Sequence, residues 1–219
     1  MIQESTIKFI TQLSKNNNKA WFDKNRDVYL AAKEDFEGVI GNVLEGLTRI
    51  EPTFAEFSAK NCIYRIFRDV RFSKDKTPYK SHFGAFFCKG GKSSPAAGYY
   101  LHVEPGGKSM IGGGLWMPDA PLLKAVRQEI DYSFDEFKGI IENKQFRKYF
   151  KKVNGEQLVK LPKGYEADNP AIEFLKLKSF TVGCAIDDKD LTAKNYEKKC
   201  VEIFTAMKPF IDFLNRSLD

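Results

Sequence analysis

His82 and His102 are the only two histidines among 219 residues, and each stands where it could do chemistry. His82 closes a dense basic run, and His102 lies two residues before Glu104. Alternate residues of an extended strand share a face, so Tyr100, His102 and Glu104 belong to one surface. A histidine oriented by a carboxylate can carry a proton to or from a reacting group. If the loop after Cys88 closes a hairpin with Cys88 opposite Gly98, then Phe86 faces Tyr100, Gly84 faces His102 and His82 faces Glu104. His82, His102 and Glu104 are then candidate catalytic residues on one surface. A slip of one residue would undo that pairing. A polar patch covered by a helix, or a histidine satisfied by Glu104 for structure, would produce the same pattern without a reaction.

The second candidate is an anion site. Arg65, Arg68, Arg71, Lys74, Lys76 and Lys80 crowd sixteen residues. Residues 60–92 carry nine Lys or Arg against two Asp, a net of +7. The whole chain carries +6, so the remainder is −1. A local positive field draws anionic partners. Thr77-Pro78 stiffens the loop, because proline fixes its own φ and restrains the residue before it. These cations, with Tyr79 and Tyr100 (or Trp21) as stacking surfaces, are the expected ligand-binding set for an anionic small molecule or a nucleic acid. Asp69 and Asp75 lie in the same run and could instead hold the cations in ion pairs.

Several other chemistries are excluded. GGKSS at 90–94 and GGKS at 106–109 lack the earlier glycine of a phosphate-binding P-loop and join strands, so they read as hairpin turns. No G-x-S-x-G elbow is present. Cys62, Cys88, Cys184 and Cys200 form no C-x-x-C pair, so no structural zinc or other metal site is expected and the thiols read as free. No run approaches the ~20 apolar residues of a membrane span, and the first residues lack the apolar core of a signal peptide. The expected location is the cytoplasm. No cofactor or oligomeric state is assigned.

The elements that must position these residues follow from periodicity. Ile7, Ile10 and Leu13 predict a helix over 5–15, and Asn18 an N-cap for the segment opened by Trp21 and Phe22. Tyr29, Phe36, Val39, Ile40, Val43 and Leu47 trace one stripe of a helix over 26–49. The period then shortens. Strands are expected at 62–67, 83–88, 98–104 and 109–116, with turn-rich connections that argue an antiparallel meander. Glycines 112–114 in the last of these mark a close approach by a helix or a ligand. Helices are expected at 121–132, 134–141 and 145–150, with a hairpin signal at Asn154-Gly155, a helical turn or two at 171–178 and a fifth strand at 180–186. One long helix follows from Asp190, disturbed at Pro209. The fold class is α+β, a central antiparallel sheet over 62–116 flanked by N- and C-terminal helices, as a single domain over 1–219. Nineteen Phe predict a Phe-rich core.

YRIFRDVRFSKDKTPYKSHFGAFF at 64–87, NNNKAWF at 16–22, GYYLHVEPG at 98–106 and GGGLWMP at 112–118 together resemble the bacterial and fungal family called domain of unknown function 2461. The resemblance runs from about residue 5 to residue 215. It implies one α+β domain and no established activity, and it points again to Arg68, Asp69, Arg71, Lys74, Asp75, Lys76, Pro78, Tyr79 and Lys80. Members often resemble D-H-P where this chain has Asp168-Asn169-Pro170, so no histidine-dependent role is expected of that loop. Three readings follow, of which the first leads and the others are alternatives. One is a domain binding a phosphate-bearing ligand or nucleic acid through the 65–80 loop. Another is a hydrolase or transferase for a phosphorylated substrate, with a His–Glu pair and an arginine clamp. The last is an ion-paired scaffold for protein contacts.

Overall fold

The computed structural model describes residues 1–218. The fold is α+β, with a four-stranded antiparallel sheet in the order β1-β2-β3-β4. The strands are β1 (Phe83–Phe87), β2 (Gly98–Val103), β3 (Met110–Leu115) and β4 (Phe180–Ala185). The helices are α1 (Glu4–Lys15), α2 (Lys19–Lys24), α3 (Arg26–Thr48), α4 (Ala59–Cys62), α5 (Ala120–Tyr132), α6 (Phe134–Glu142), α7 (Lys144–Tyr149), α8 (Ile172–Leu175), α9 (Asp188–Leu191) and α10 (Tyr196–Asn215). Among the described residues, no helix is long and apolar enough to cross a membrane. The described residues divide into two compact units, residues 1–87 with 100–111 and 185–202, and residues 88–99 with 112–184 and 203–218.

In the first unit, α1 buries Thr6, Phe9, Ile10 and Leu13, the spacing of one helical face. Asp35 on α3 accepts from the Thr6 hydroxyl at 2.6 Å and from the Gln3 amide at 3.0 Å, which ties the start of α1 to α3. The α3 stripe is buried from Ala32 to Leu47, and Phe36 stacks on Phe83 of β1 with ring centres 5.1 Å apart. Phe83, Ala85 and Phe87 are all buried, so that face of β1 is turned to the core. Asn18 caps α2 as expected, its side chain accepting from the Trp21 amide.

In the second unit the core is built of phenylalanine. Phe137 packs against Phe174 and Phe213 at 5.0 and 5.2 Å, and Phe146 against Phe210 at 5.7 Å. The β3 glycines answer to close neighbours. A Cβ on Gly113 would lie 2.4 Å from the Gly98 carbonyl and 2.6 Å from Met207 Sδ of α10. Gly114, at φ +122°, would bring its Cβ to 2.0 Å from the Phe180 carbonyl.

Three local expectations need correction. The strand expected at 62–67 is the end of α4 followed by two isolated antiparallel bridges, Ile63 to Ala85 and Phe67 to Tyr79. Four steps on one side meet six on the other, and that two-residue excess breaks the ladder. Asn154-Gly155 closes no hairpin; Asn154 bridges Thr181 instead. The long C-terminal helix is two helices, α9 and α10, parted at 192–195, where Thr192 turns its hydroxyl back to the Lys189 carbonyl.

Candidate functional site

All the residues that form the candidate site lie in the first unit. His102 sits on β2 between two partners. Its Nδ1 is 3.0 Å from the Tyr100 hydroxyl and its Nε2 is 3.0 Å from Glu104 Oε2. The tautomer with its proton on Nε2 satisfies both contacts, because the ring donates to the carboxylate and accepts from the phenol. Three residues at i, i+2 and i+4 on one strand face thus form one hydrogen-bonded line.

His82 reaches the line from a different direction. It lies in the bend before β1, within the two-residue excess that interrupts the pairing of 63–67 with 79–85. Bulged segments re-aim side chains, and this one turns the His82 ring over His102, with ring centres 4.3 Å apart. His82 Nδ1 is 3.9 Å from Glu104 Oε2, too far for a hydrogen bond. Gly84 of β1 lies against the end of the Tyr100 side chain, where a Cβ would meet the hydroxyl at 3.0 Å.

Both histidines and Glu104 remain reachable from water, with side chains 26%, 15% and 18% exposed. Burial, then the neighbouring His102, lowers His82 to about 4. Burial works to raise Glu104, but hydrogen bonds from His102 and Lys108 outweigh it, and the carboxyl sits below its ordinary range. Burial pushes Tyr100 up to about 12, so its phenol keeps its proton near neutrality. One nitrogen from each ring and a Glu104 oxygen all lie within 4.8 Å of one another.

Neighbouring elements fix this geometry. The 105–108 turn is closed by Ser109, whose hydroxyl accepts from the Glu104 amide and donates to the Glu104 carbonyl, both at 3.0 Å. Gly106 and Gly107, both at positive φ, donate their amides to the Asp188 carboxylate at 2.7 and 3.1 Å. Lys108 from the same turn reaches Glu104 Oε1 at 3.2 Å. Below His82, Asn17 grips the Tyr79 backbone on both sides, donating to its carbonyl at 2.8 Å and accepting from its amide at 3.0 Å. Lys108 and Asn17 were not among the expected site residues. Lys108 had a readable signal, its place four residues after Glu104 across a Gly-Gly turn. Asn17 had none.

The basic loop is largely engaged with itself. Arg68 pairs with Asp75 and the Thr77 hydroxyl, and its amide donates to the Pro78 carbonyl at 2.9 Å. Arg71 holds Asp69 at 2.7 Å, Lys76 donates to the Val70 carbonyl, and Lys80 donates to the Arg65 carbonyl while lying over the Tyr64 ring. Arg65 and Lys74 are exposed. Tyr79 is buried, its ring stacked on Phe22 at 4.0 Å, and Trp21 stacks on Phe9. Asn169 is structural, accepting from the Ala171 amide and donating to Asp131. Cys62, Cys88 and Cys200 are buried and Cys184 is half-buried.

Asp75 organises the loop, and its acidity is a test of that. The Thr77 amide, then Arg68 and the Thr77 hydroxyl, hold its carboxyl at about 2. A depressed folded pKa gives a stabilising contribution that is whole above the unfolded carboxyl range of about 4 and is lost as pH falls toward 2. Carboxyl NMR of the folded chain is expected to place the Asp75 midpoint near 2, with the 69–77 amides losing exchange protection over the same window. A midpoint near 4 would mean that Asp75 does not hold the loop.

The chain belongs to the family described as conserved hypothetical protein (DUF2461), whose model matches residues 5–213. No curated protein and no solved structure matches it.

Proposed function

We propose that this chain is a cytoplasmic enzyme that hydrolyses or transfers the phosphoryl group of an anionic ester, with His82, His102 and Glu104 as its reaction centre. The reading is carried by two imidazoles converging on one carboxylate oxygen, at 3.9 and 3.0 Å, where water can reach. Among the described residues, His82 makes no hydrogen bond, so a ring lone pair is available to a water or an acceptor hydroxyl. That oxygen attacks phosphorus as His82 takes its proton. The bond from phosphorus to the leaving oxygen breaks, and His82 returns the proton to that oxygen. The line Tyr100–His102–Glu104 orients the carboxylate beside the base. Arg68 and Arg71 are occupied by Asp75 and Asp69, so substrate charge falls to Lys108 and to the field of Arg65, Lys74 and Lys80.

The test is a turnover assay on phosphate mono- and diesters, alongside oligonucleotide binding at low and high salt. Turnover of one ester class is expected, reduced by ~10²- to 10⁴-fold in Glu104→Gln. Steeply salt-dependent oligonucleotide binding without turnover, weakened by Phe72→Ala, would favour binding through the loop instead. Phe72 is 94% exposed there, beside the Arg71 guanidinium. Neither turnover nor binding would sink both readings.

A further inference from the structure

We propose that His82, His102 and Glu104 bind one divalent first-row transition ion, such as Zn²⁺, Mn²⁺ or Fe²⁺. The inference deepens the reading of this cluster as the reaction centre and rests on it for the ion's catalytic role. An ion about 2.1 Å from each donor sets the donors roughly 3.0 to 3.4 Å apart, in octahedral or tetrahedral geometry. His102 Nε2 and His82 Nδ1 already stand 3.0 and 3.9 Å from Glu104 Oε2, which bracket that spacing. All three donors fall within 4.8 Å of one another.

The surrounding hydrogen bonds are those a metal ligand needs. A coordinating histidine usually donates its other ring N–H to an oxygen, and a coordinating carboxylate is held by a further partner. His102 has the Tyr100 hydroxyl 3.0 Å from Nδ1, ready to accept once Nε2 turns to the ion. Glu104 has Lys108 on Oε1, which leaves Oε2 facing both imidazoles. His82 makes no hydrogen bond among the described residues, and with 26% of its side chain exposed a ring nitrogen is open to an ion.

The donor set decides the class of ion. Two imidazoles and one carboxylate suit zinc, iron or manganese, whereas calcium and magnesium prefer oxygen alone. Three protein ligands leave positions open for water and for a substrate oxygen, as in catalytic rather than structural sites. With an ion bound, His82 would serve as a ligand rather than as the base, and the ion would supply the acidity that readies a bound water for attack. The spacing rules that exclude zinc from the sequence look for ligands close together along the chain, and they cannot see a site assembled from a bulge and a strand.

The test uses the untagged, chelator-treated full chain titrated with Zn²⁺, Mn²⁺ and Co²⁺ by calorimetry. One equivalent is expected to bind. His82→Ala, His102→Ala and Glu104→Ala should abolish binding, while Tyr100→Phe should weaken it roughly 10- to 100-fold. Pulsed EPR of the Mn²⁺-loaded wild-type chain should count two coordinated imidazoles, a result independent of whether any variant folds. No saturable binding below about 1 mM, or EPR without imidazole nitrogen, overturns the site. Ester turnover undiminished by chelation overturns the metal and leaves the acid–base reading standing. Metal binding by those residues without any ester turnover upholds the site and overturns the reaction.

Discussion

Replacing His102 with alanine is expected to lower ester turnover by ~10²- to 10⁴-fold, as large a loss as that of Glu104→Gln. His102 is the one side chain that touches every other member of the cluster. It accepts from Tyr100, donates to Glu104 and lies under the His82 ring. Its removal leaves a half-buried phenol and carboxylate without their shared partner, a cost of about 1 to 3 kcal/mol. Glu104 keeps Lys108, so the variant should still fold. Circular dichroism and a melting curve would establish that before kinetics are compared. Wild-type turnover in a folded His102→Ala chain would remove the cluster from the reaction.

Gly114→Ala is expected to be the most destabilising single-methyl change. At φ +122° a Cβ is strained whatever the space around it, and here it would stand 2.0 Å from the Phe180 carbonyl. No flexible side chain can move aside, because the obstacle is the backbone of β4. Strain and overpacking together should cost about 3 to 5 kcal/mol and lower the melting temperature by roughly 10 °C. Gly139 offers a control, since nothing lies within 4 Å of the Cβ position there. A Gly114→Ala chain that melts with the wild type would mean that β3 and β4 do not approach as described.

Much of this architecture is legible in the sequence because burial imposes a period. The α1 and α3 stripes, the β1 and β2 strands and the fourth and fifth expected strands come out close to their expected bounds, since each buries one face and its apolar residues must recur at that face's spacing. His102 and Glu104 were readable as a pair for the same reason, being two apart on one strand. The failures share a cause as well. CIYRIF looks like a strand in sequence, but Ser58 and Asn61 form a capping box that starts α4, and the mismatch of four residues against six prevents a continuous ladder. That mismatch is a property of pairing between distant segments, which no local window contains. It also decides where His82 points, so the meeting of His82 with His102 depended on tertiary structure even though both residues were candidates. The basic loop shows the converse. Its charge was plain in composition, but whether Asp69 and Asp75 would claim the arginines depended on how the loop closed.

The proposed place of reaction for an anionic ester is the cluster of His82, His102 and Glu104. The most direct measurement is a crystal structure of the chain grown with orthovanadate, a mimic of the phosphoryl group in transfer. Vanadate is expected to sit against His82, with Lys108 within hydrogen-bond reach. Vanadate held by Arg65, Arg71 or Lys74 of the loop, with the two imidazoles untouched, would contradict it.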